Sequence, residues 1–292
     1  MSDASDTADL SVDPGQAGST AASRPRRGLA ASRATFRGLV LPVLILVLWE
    51  AAARAGLVAA NLLPAPSAVL DAIAGLAATG ELFDHIQVTL SRVFFGFLAG
   101  SAAATVLGGL TGYSRAWREL LDPLLQALRN IPSIAWVPLF ILWFGIFETS
   151  KVTLIAVGVF FPVYLNLMSG IQDVDRKLVE VGRMYRMSGL KLVRRVLLPA
   201  TLPAYVVGLR GGLGLGWMFV VAAEYMGASK GLGFLMIDGQ MTGRPQIIIA
   251  ALVLFAVFGK ATDMVLAAIG RHFLAWQDSF GSQKASPRQE RR

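Results

Sequence analysis

Long apolar runs alternate with short charged segments along this chain, and their length predicts helices rather than strands. The runs fall at about Gly38 to Val58, Val93 to Tyr113, Val152 to Met168, Ala204 to Ala223 and Gln246 to Ile269, with a further one closing over Trp136 to Ile146. A helix needs roughly 20 apolar residues to cross the hydrocarbon core of a bilayer. The pattern therefore predicts an all-α fold, a polytopic membrane bundle of about six transmembrane helices. Between the first two spans Pro64 and Pro66 break the helix, and Ser67 is placed to cap a short amphipathic stretch, Ala68 to Leu76, on the outer surface. Residues 1–36 read as a disordered cytoplasmic tail, 37–275 as the transmembrane domain with a long loop at 171–200, and 276–292 as a basic cytoplasmic tail.

Charge fixes the expected orientation. Arg24, Arg26, Arg27, Arg33 and Arg37 form a collar before the first run, and the loop from Asp173 to Arg195 is again mostly basic. By the positive-inside rule both belong in the cytoplasm, so both termini are cytoplasmic and the protein is a multi-pass component of the cytoplasmic (inner) membrane. A secretory signal is not expected, because the first basic residue precedes the first apolar run by many positions. The composition agrees: of 292 residues 54% are hydrophobic and 16% charged, and the net charge of +8 reports topology rather than a nucleic-acid partner. With no cysteine, and with His85 and His272 the only histidines, the chain offers no disulfide, no thiolate nucleophile and no expected metal centre. No catalytic residue is expected, and no phosphate-binding loop is present, so any ATP chemistry belongs to another chain.

Two glycine stripes mark close helix packing. Gly96, Gly100, Gly108 and Gly112, with Ala104 between them, share one face of the second span, and Gly208, Gly212 and Gly216 share one face of the fifth. They serve either packing within one subunit or helices that slide against, or meet, a second copy. In the loop, Leu178, Val181, Met184, Tyr185 and Leu192 are spaced to line one side of two short helices broken at Ser188 and Gly189. That apolar side needs either a partner or the lipid headgroups to cover it.

The loop also carries a specific likeness. Its residues Glu180, Val181, Gly182, Arg186, Val196, Leu198 and Pro199 resemble the E-A-A-x3-G-x9-I-x-L-P pattern (the EAA motif) of binding-protein-dependent ABC importer permeases. Gly182 replaces the second alanine, a mild departure, and Arg186 replaces the glycine; Gly189 is the expected substitute for the turn. The likeness extends over residues 40–275. Leu63-Pro64-Ala65-Pro66-Ser67, Leu128-Arg129-Asn130-Ile131-Pro132, Phe161-Pro162-Val163-Tyr164 and Ala222-Ala223-Glu224 resemble the branch that imports sulfonates, taurine and nitrate, with the aliphatic sulfonate permeases the favoured comparison.

The resemblance implies a non-catalytic permease of the type I importer fold. It implies two ABC ATP-binding subunits docked on the loop, a periplasmic or lipid-anchored substrate-binding protein, a permease homodimer in membrane lipid, and no cofactor beyond the ATP that the partner binds. Arg210, about a turn and a half inside the fifth span, is expected to face the bundle interior, a water-filled path or an acid. Its guanidinium suits an anion, so Arg210 and Glu224 are the candidates on the substrate path, and Arg210 is expected to matter more to uptake than Lys260. Glu224 is expected to touch the binding protein or shape the gate. Lys260 with Asp263, and Glu50 with Arg54, read as structural ion pairs from their spacing. The competing class, a stand-alone channel or secondary transporter, needs ion-coupling carboxylates or a filter inside the spans.

Overall fold

The computed structural model describes residues 27–225 and 227–274, and among these there is no strand. The expected tail at 276–292, and that at 1–36 up to residue 26, lie outside the described residues. The chain divides into two units, residues 1–48 and 49–292. In the first, residues 27–48 are helical, the beginning of α1 (Arg27–Arg54), and the apolar side chains of 40–48 are about half exposed.

The second unit holds α2 (Pro66–Ala78), α3 (Glu81–Tyr113), α4 (Arg115–Arg129), α5 (Val137–Phe144), α6 (Glu148–Gln172), α7 (Arg176–Met184), α8 (Gly189–Leu192), α9 (Leu198–Tyr225), α10 (Leu232–Met241) and α11 (Pro245–Phe273). Four segments among the described residues are long and apolar enough to cross a membrane: α3, α6, α9 with the turn before it, and α11. They coincide with the expected second, fourth, fifth and sixth spans.

The third span departs from its expected form. α5 has only 8 residues, about 12 Å at 1.5 Å per residue, far short of the roughly 30 Å core. Together with α4 it makes a fifth crossing only as a broken span bent by 87°. Pro132 supplies the break, because the ring disfavours a helical Ile131, and a single 3-10 turn, Ser133–Trp136, leads into α5.

α6 is the centre of the domain. Ile155, Val159 and Val163 are wholly buried and Tyr164 almost so. Both glycine stripes lie against this helix. On α3, a β-carbon at Gly96 would meet Ile155 Cβ at 2.6 Å, and one at Gly100 would collide with the Ala156 carbonyl. On α9, Gly208, Gly212 and Gly216 face Asn166, Val163 and Val159. Of the two uses open to the stripes, the structure realises packing inside one subunit, with two helices at backbone distance from a third.

The start of α2 also differs from expectation. Ala65, not Ser67, is the N-cap residue. Ser67 instead donates from its amide (3.0 Å) and hydroxyl (2.8 Å) to the Glu50 carboxylate, which also pairs with Arg54 at 2.6 Å. Glu50 thus caps α2 from another segment while making the expected pair.

Candidate functional site

The loop at 171–200 folds as a helical hairpin. Asp175 caps α7 by accepting from the Lys177 amide at 2.9 Å. α7 ends in a Schellman arrangement, with Arg186 N donating to Arg183 O (2.8 Å) and Met187 N to Gly182 O (3.0 Å). Arg186 takes φ +54°, the only non-glycine residue with positive φ among the described residues. Gly189 does not take over the turn: Arg186 adopts the glycine-like conformation itself, and Gly189 adds a second left-handed residue (φ +52°) where α8 begins.

Gly182 is buried beneath Leu192 and Val196. Leu192 is buried with it, whereas Leu178, Val181, Met184 and Tyr185 are at least half exposed. The expected single apolar side is therefore divided: Leu192 holds the hairpin together, and the other four form an open patch. Around them Arg176, Lys177, Arg183, Arg186, Lys191, Arg194 and Arg195 are exposed, as is Glu180, which makes no hydrogen bond or ion pair among the described residues.

The hairpin runs without a gap into α9 through a π-helical turn, Val193–Leu197. Pro199 explains the wide turn. It has no N–H to donate to Arg195 O, and its ring would crowd that carbonyl in a regular helix. Leu198 and Pro199 are thus the first residues of α9 rather than a break before it, and Val196 joins the underside of Gly182 to the span.

Inside the spans the charges are arranged otherwise than the local spacing indicates. Arg210 grips Asp263 of α11 with Nε (2.8 Å) and Nη2 (2.9 Å). Lys260, the expected partner of Asp263, stands off at 3.9 Å. Glu224 is wholly buried, closed off from any external partner in this conformation. It accepts from Arg92 Nη1 (2.8 Å), Thr89 Oγ1 (2.7 Å) and Gly233 N (2.7 Å). Arg92 also clasps Glu148 bidentately, both contacts 2.6 Å, and donates to Lys230 O at 2.7 Å. Next to them Gly231 N donates to His85 Nδ1 at 2.9 Å, and Leu232 N to Thr89 Oγ1 at 2.8 Å. This network ties α3, the start of α6 and the α9–α10 connection into one knot, with Gly231 (φ +127°) so near the Glu224 carboxylate that any side chain would collide with it.

Sequence reasoning passed over Arg92, Thr89, Glu148 and His85. A signal was present: His85, Thr89 and Arg92 recur at helical spacing on one face of a spanning helix, where polar groups require partners.

The profile of binding-protein-dependent transport system inner membrane components matches residues 96–274. The chain belongs to this family. The match begins at the first glycine of the α3 stripe and takes in the hairpin and the whole of α9. Among similar permeases, a putative aliphatic sulfonates transport permease protein of Bacillus subtilis (strain 168) is 41% identical over 84% of this chain and 89% of its own length. The protein of the same description from Escherichia coli (strain K12) is 38% identical over 84% and 94%. The E. coli taurine transport system permease protein is 30% identical over 80% and 86%. The fold is that of a solved ABC importer chain, from the inward-facing MetNI methionine ABC transporter, with a TM-score of 0.61 over 68% of this chain and 98% of that one, at 18% identity. This permease is thus a multi-pass membrane subunit whose relatives are transport permeases.

Proposed function

We propose that this chain is the membrane subunit of an ATP-driven importer for a small organic anion, an aliphatic sulfonate or a taurine- or nitrate-like substrate. It makes and breaks no covalent bond and holds no cofactor of its own. The observation that carries the reading is the hairpin, whose open patch of Leu178, Val181, Met184 and Tyr185 is ringed by basic groups and spliced to a membrane-spanning helix. Such a patch is an anchor for a partner, and the splice transmits the partner's movement into α9. The partner is a pair of ABC ATP-binding subunits. Glu180 meets a basic group on them through a charge-assisted contact, while Gly182, Arg186, Gly189, Val196, Leu198 and Pro199 keep the hairpin in shape. A periplasmic or lipid-anchored binding protein delivers the substrate, two copies of the permease enclose the path, and the assembly sits in the cytoplasmic membrane with both termini inside. Arg210 lies beside the path, and the Glu224 knot secures its outer end. The substrate class rests on the relatives' descriptions.

The test is reconstitution in proteoliposomes with the ATP-binding subunits and the binding protein. Labelled ethanesulfonate enters only when ATP is supplied, and Glu180→Lys inserts normally but loses uptake. Uptake by the chain alone without ATP overturns the reading in favour of a stand-alone carrier.

A further inference from the structure

Three charged side chains meet near the middle of two adjacent spanning helices, two cations sharing one carboxylate. Arg210 lies near the centre of the 28-residue α9, and Lys260 and Asp263 near the centre of the 29-residue α11. Both Asp263 oxygens are taken by the Arg210 fork. Lys260 Nζ is 3.9 Å from Asp263 Oδ2, beyond hydrogen-bond reach. It has no other polar partner among the described residues, and its side chain is 69% exposed. The trio therefore carries one net positive charge, and Lys260, the more exposed of its two cations (69% against 46%), makes the looser of the two ion pairs with Asp263.

The surface beside it is open. Val207, Gly211, Gly214 and Met218 form an exposed face of α9 continuous with Arg210, and a β-carbon at Gly214 would meet nothing within 4 Å. Trp217 packs over Gly259, and Val206 meets Gly270. This antiparallel register sets Gly214 level with Thr262, within a turn of Lys260 along α11. A basic side chain near a span's end can reach the interface, but one at mid-span cannot, and a strongly hydrated ammonium does not rest in hydrocarbon. The cation therefore faces water.

We propose that Lys260 is the anion contact of the translocation path, taking the sulfonate or comparable oxyanion group of a small organic substrate, with Arg210 as a positioning residue. This rests on the reading of the chain as an anion importer. The Arg210 fork takes the two short contacts with Asp263 and leaves Lys260 the longer one, so that one positive charge of the trio stays uncompensated, and the bidentate pair fixes α9 against α11. The expected order of importance is thereby reversed: the more deeply engaged arginine is scaffold, and the less engaged lysine meets the substrate.

The chain has no native cysteine, so Gly214→Cys gives it a single thiol. Gly211→Cys, where a β-carbon meets only Pro162 at 3.8 Å, gives a second position. In the assembled importer, this thiol is treated with methanethiosulfonates bearing either a sulfonate or a trimethylammonium group. The anionic reagent reacts faster by about tenfold, as expected for one uncompensated positive charge nearby in a site of reduced dielectric. The ratio cancels any effect on the thiol itself. Lys260→Gln brings it near unity, and Lys260→Arg restores it. A thiol that neither reagent reaches at either position, or a ratio unchanged by Lys260→Gln, overturns the proposal. Wild-type importer that shows the ratio but takes up no ethanesulfonate overturns the substrate assignment and leaves the anion contact standing.

Discussion

Gly182 and Leu192 approach so closely across the α7–α8 hairpin that a β-carbon on Gly182 would stand 2.7 Å from Leu192 Cδ1. That methyl is the far end of a rotatable side chain, so one added carbon is accommodated by turning Leu192. The alanine of the related motif therefore fits here. Gly182→Ala keeps ATP-driven uptake, with about 1 kcal/mol of added helix propensity offsetting the displacement. Gly182→Leu overpacks the contact at about 1–3 kcal/mol and parts the two arms. Amide hydrogen exchange across 178–185 reads the difference; equal protection in both variants would show that the arms do not bear on each other.

Arg186 holds a left-handed conformation that costs an ordinary residue roughly 1–2 kcal/mol. Arg186→Gly relieves it and slows exchange of the Met187 amide, which bonds to Gly182 O at 3.0 Å. Arg186→Val, branched at Cβ, speeds the same exchange. The order Gly, Arg, Val in protection is the expected outcome, and a valine variant as well protected as glycine would contradict it.

Arg92 and Glu224 are 3% and 0% exposed, so removing Arg92 leaves the buried Glu224 without its cation, whereas Arg92 keeps Glu148 when Glu224 is removed. Arg92→Met should cost about 3–5 kcal/mol, as when a buried ion pair is broken from one side, and lower the melting temperature in detergent. Arg92→Met with Glu224→Gln should recover part of that loss. A double variant as unstable as the sum of the two singles would show that the pair is not coupled.

Gly100 and Gly109 lie on the same helix in unlike surroundings. A β-carbon at Gly100 runs into α6, whereas at Gly109 it meets nothing within 4 Å and borders a cavity of about 650 Å³ lined with Tyr113, Trp117 and Tyr205. Gly100→Leu therefore loses several degrees of melting temperature, in keeping with about 1–3 kcal/mol of overpacking or more, and Gly109→Leu does not. Equal losses would mean that the contact with the neighbouring helix does not set the cost.

The parts of the structure that were legible in the sequence are those with a local signature. An uninterrupted apolar run names a span, a four-residue glycine repeat names a packing face, and the Glu50–Arg54 spacing names its own pair. What escaped depends on groups distant along the chain. The Lys260–Asp263 pair is present at 3.9 Å, but the shorter partner of Asp263, Arg210, lies on another helix, where local spacing gives no sign of it. Glu224 is expected from its place at a span's end to touch the binding protein or shape the gate, whereas Thr89 and Arg92 enclose it from α3. The third span was misjudged because eight apolar residues and an amphipathic helix on either side of Pro132 add up to the composition of one crossing without its geometry. Arg186 stands where the related motif has glycine, but sequence alone does not say whether a turn moves to the next glycine or stays and bears the strain.

The two glycine stripes that hold α3 and α9 at backbone distance from α6 have a mechanical consequence. Helices fitted that tightly do not slide past one another without lifting apart, so the three travel as a single slab. A displacement of the hairpin is then carried along α9, with α3 and α6, to the knot of Arg92 and Glu224, in the manner of a stiff lever. The compliance needed to alternate between two faces of the membrane is left to the joints at the slab's margin, the bent junction of α4 with α5 foremost among them.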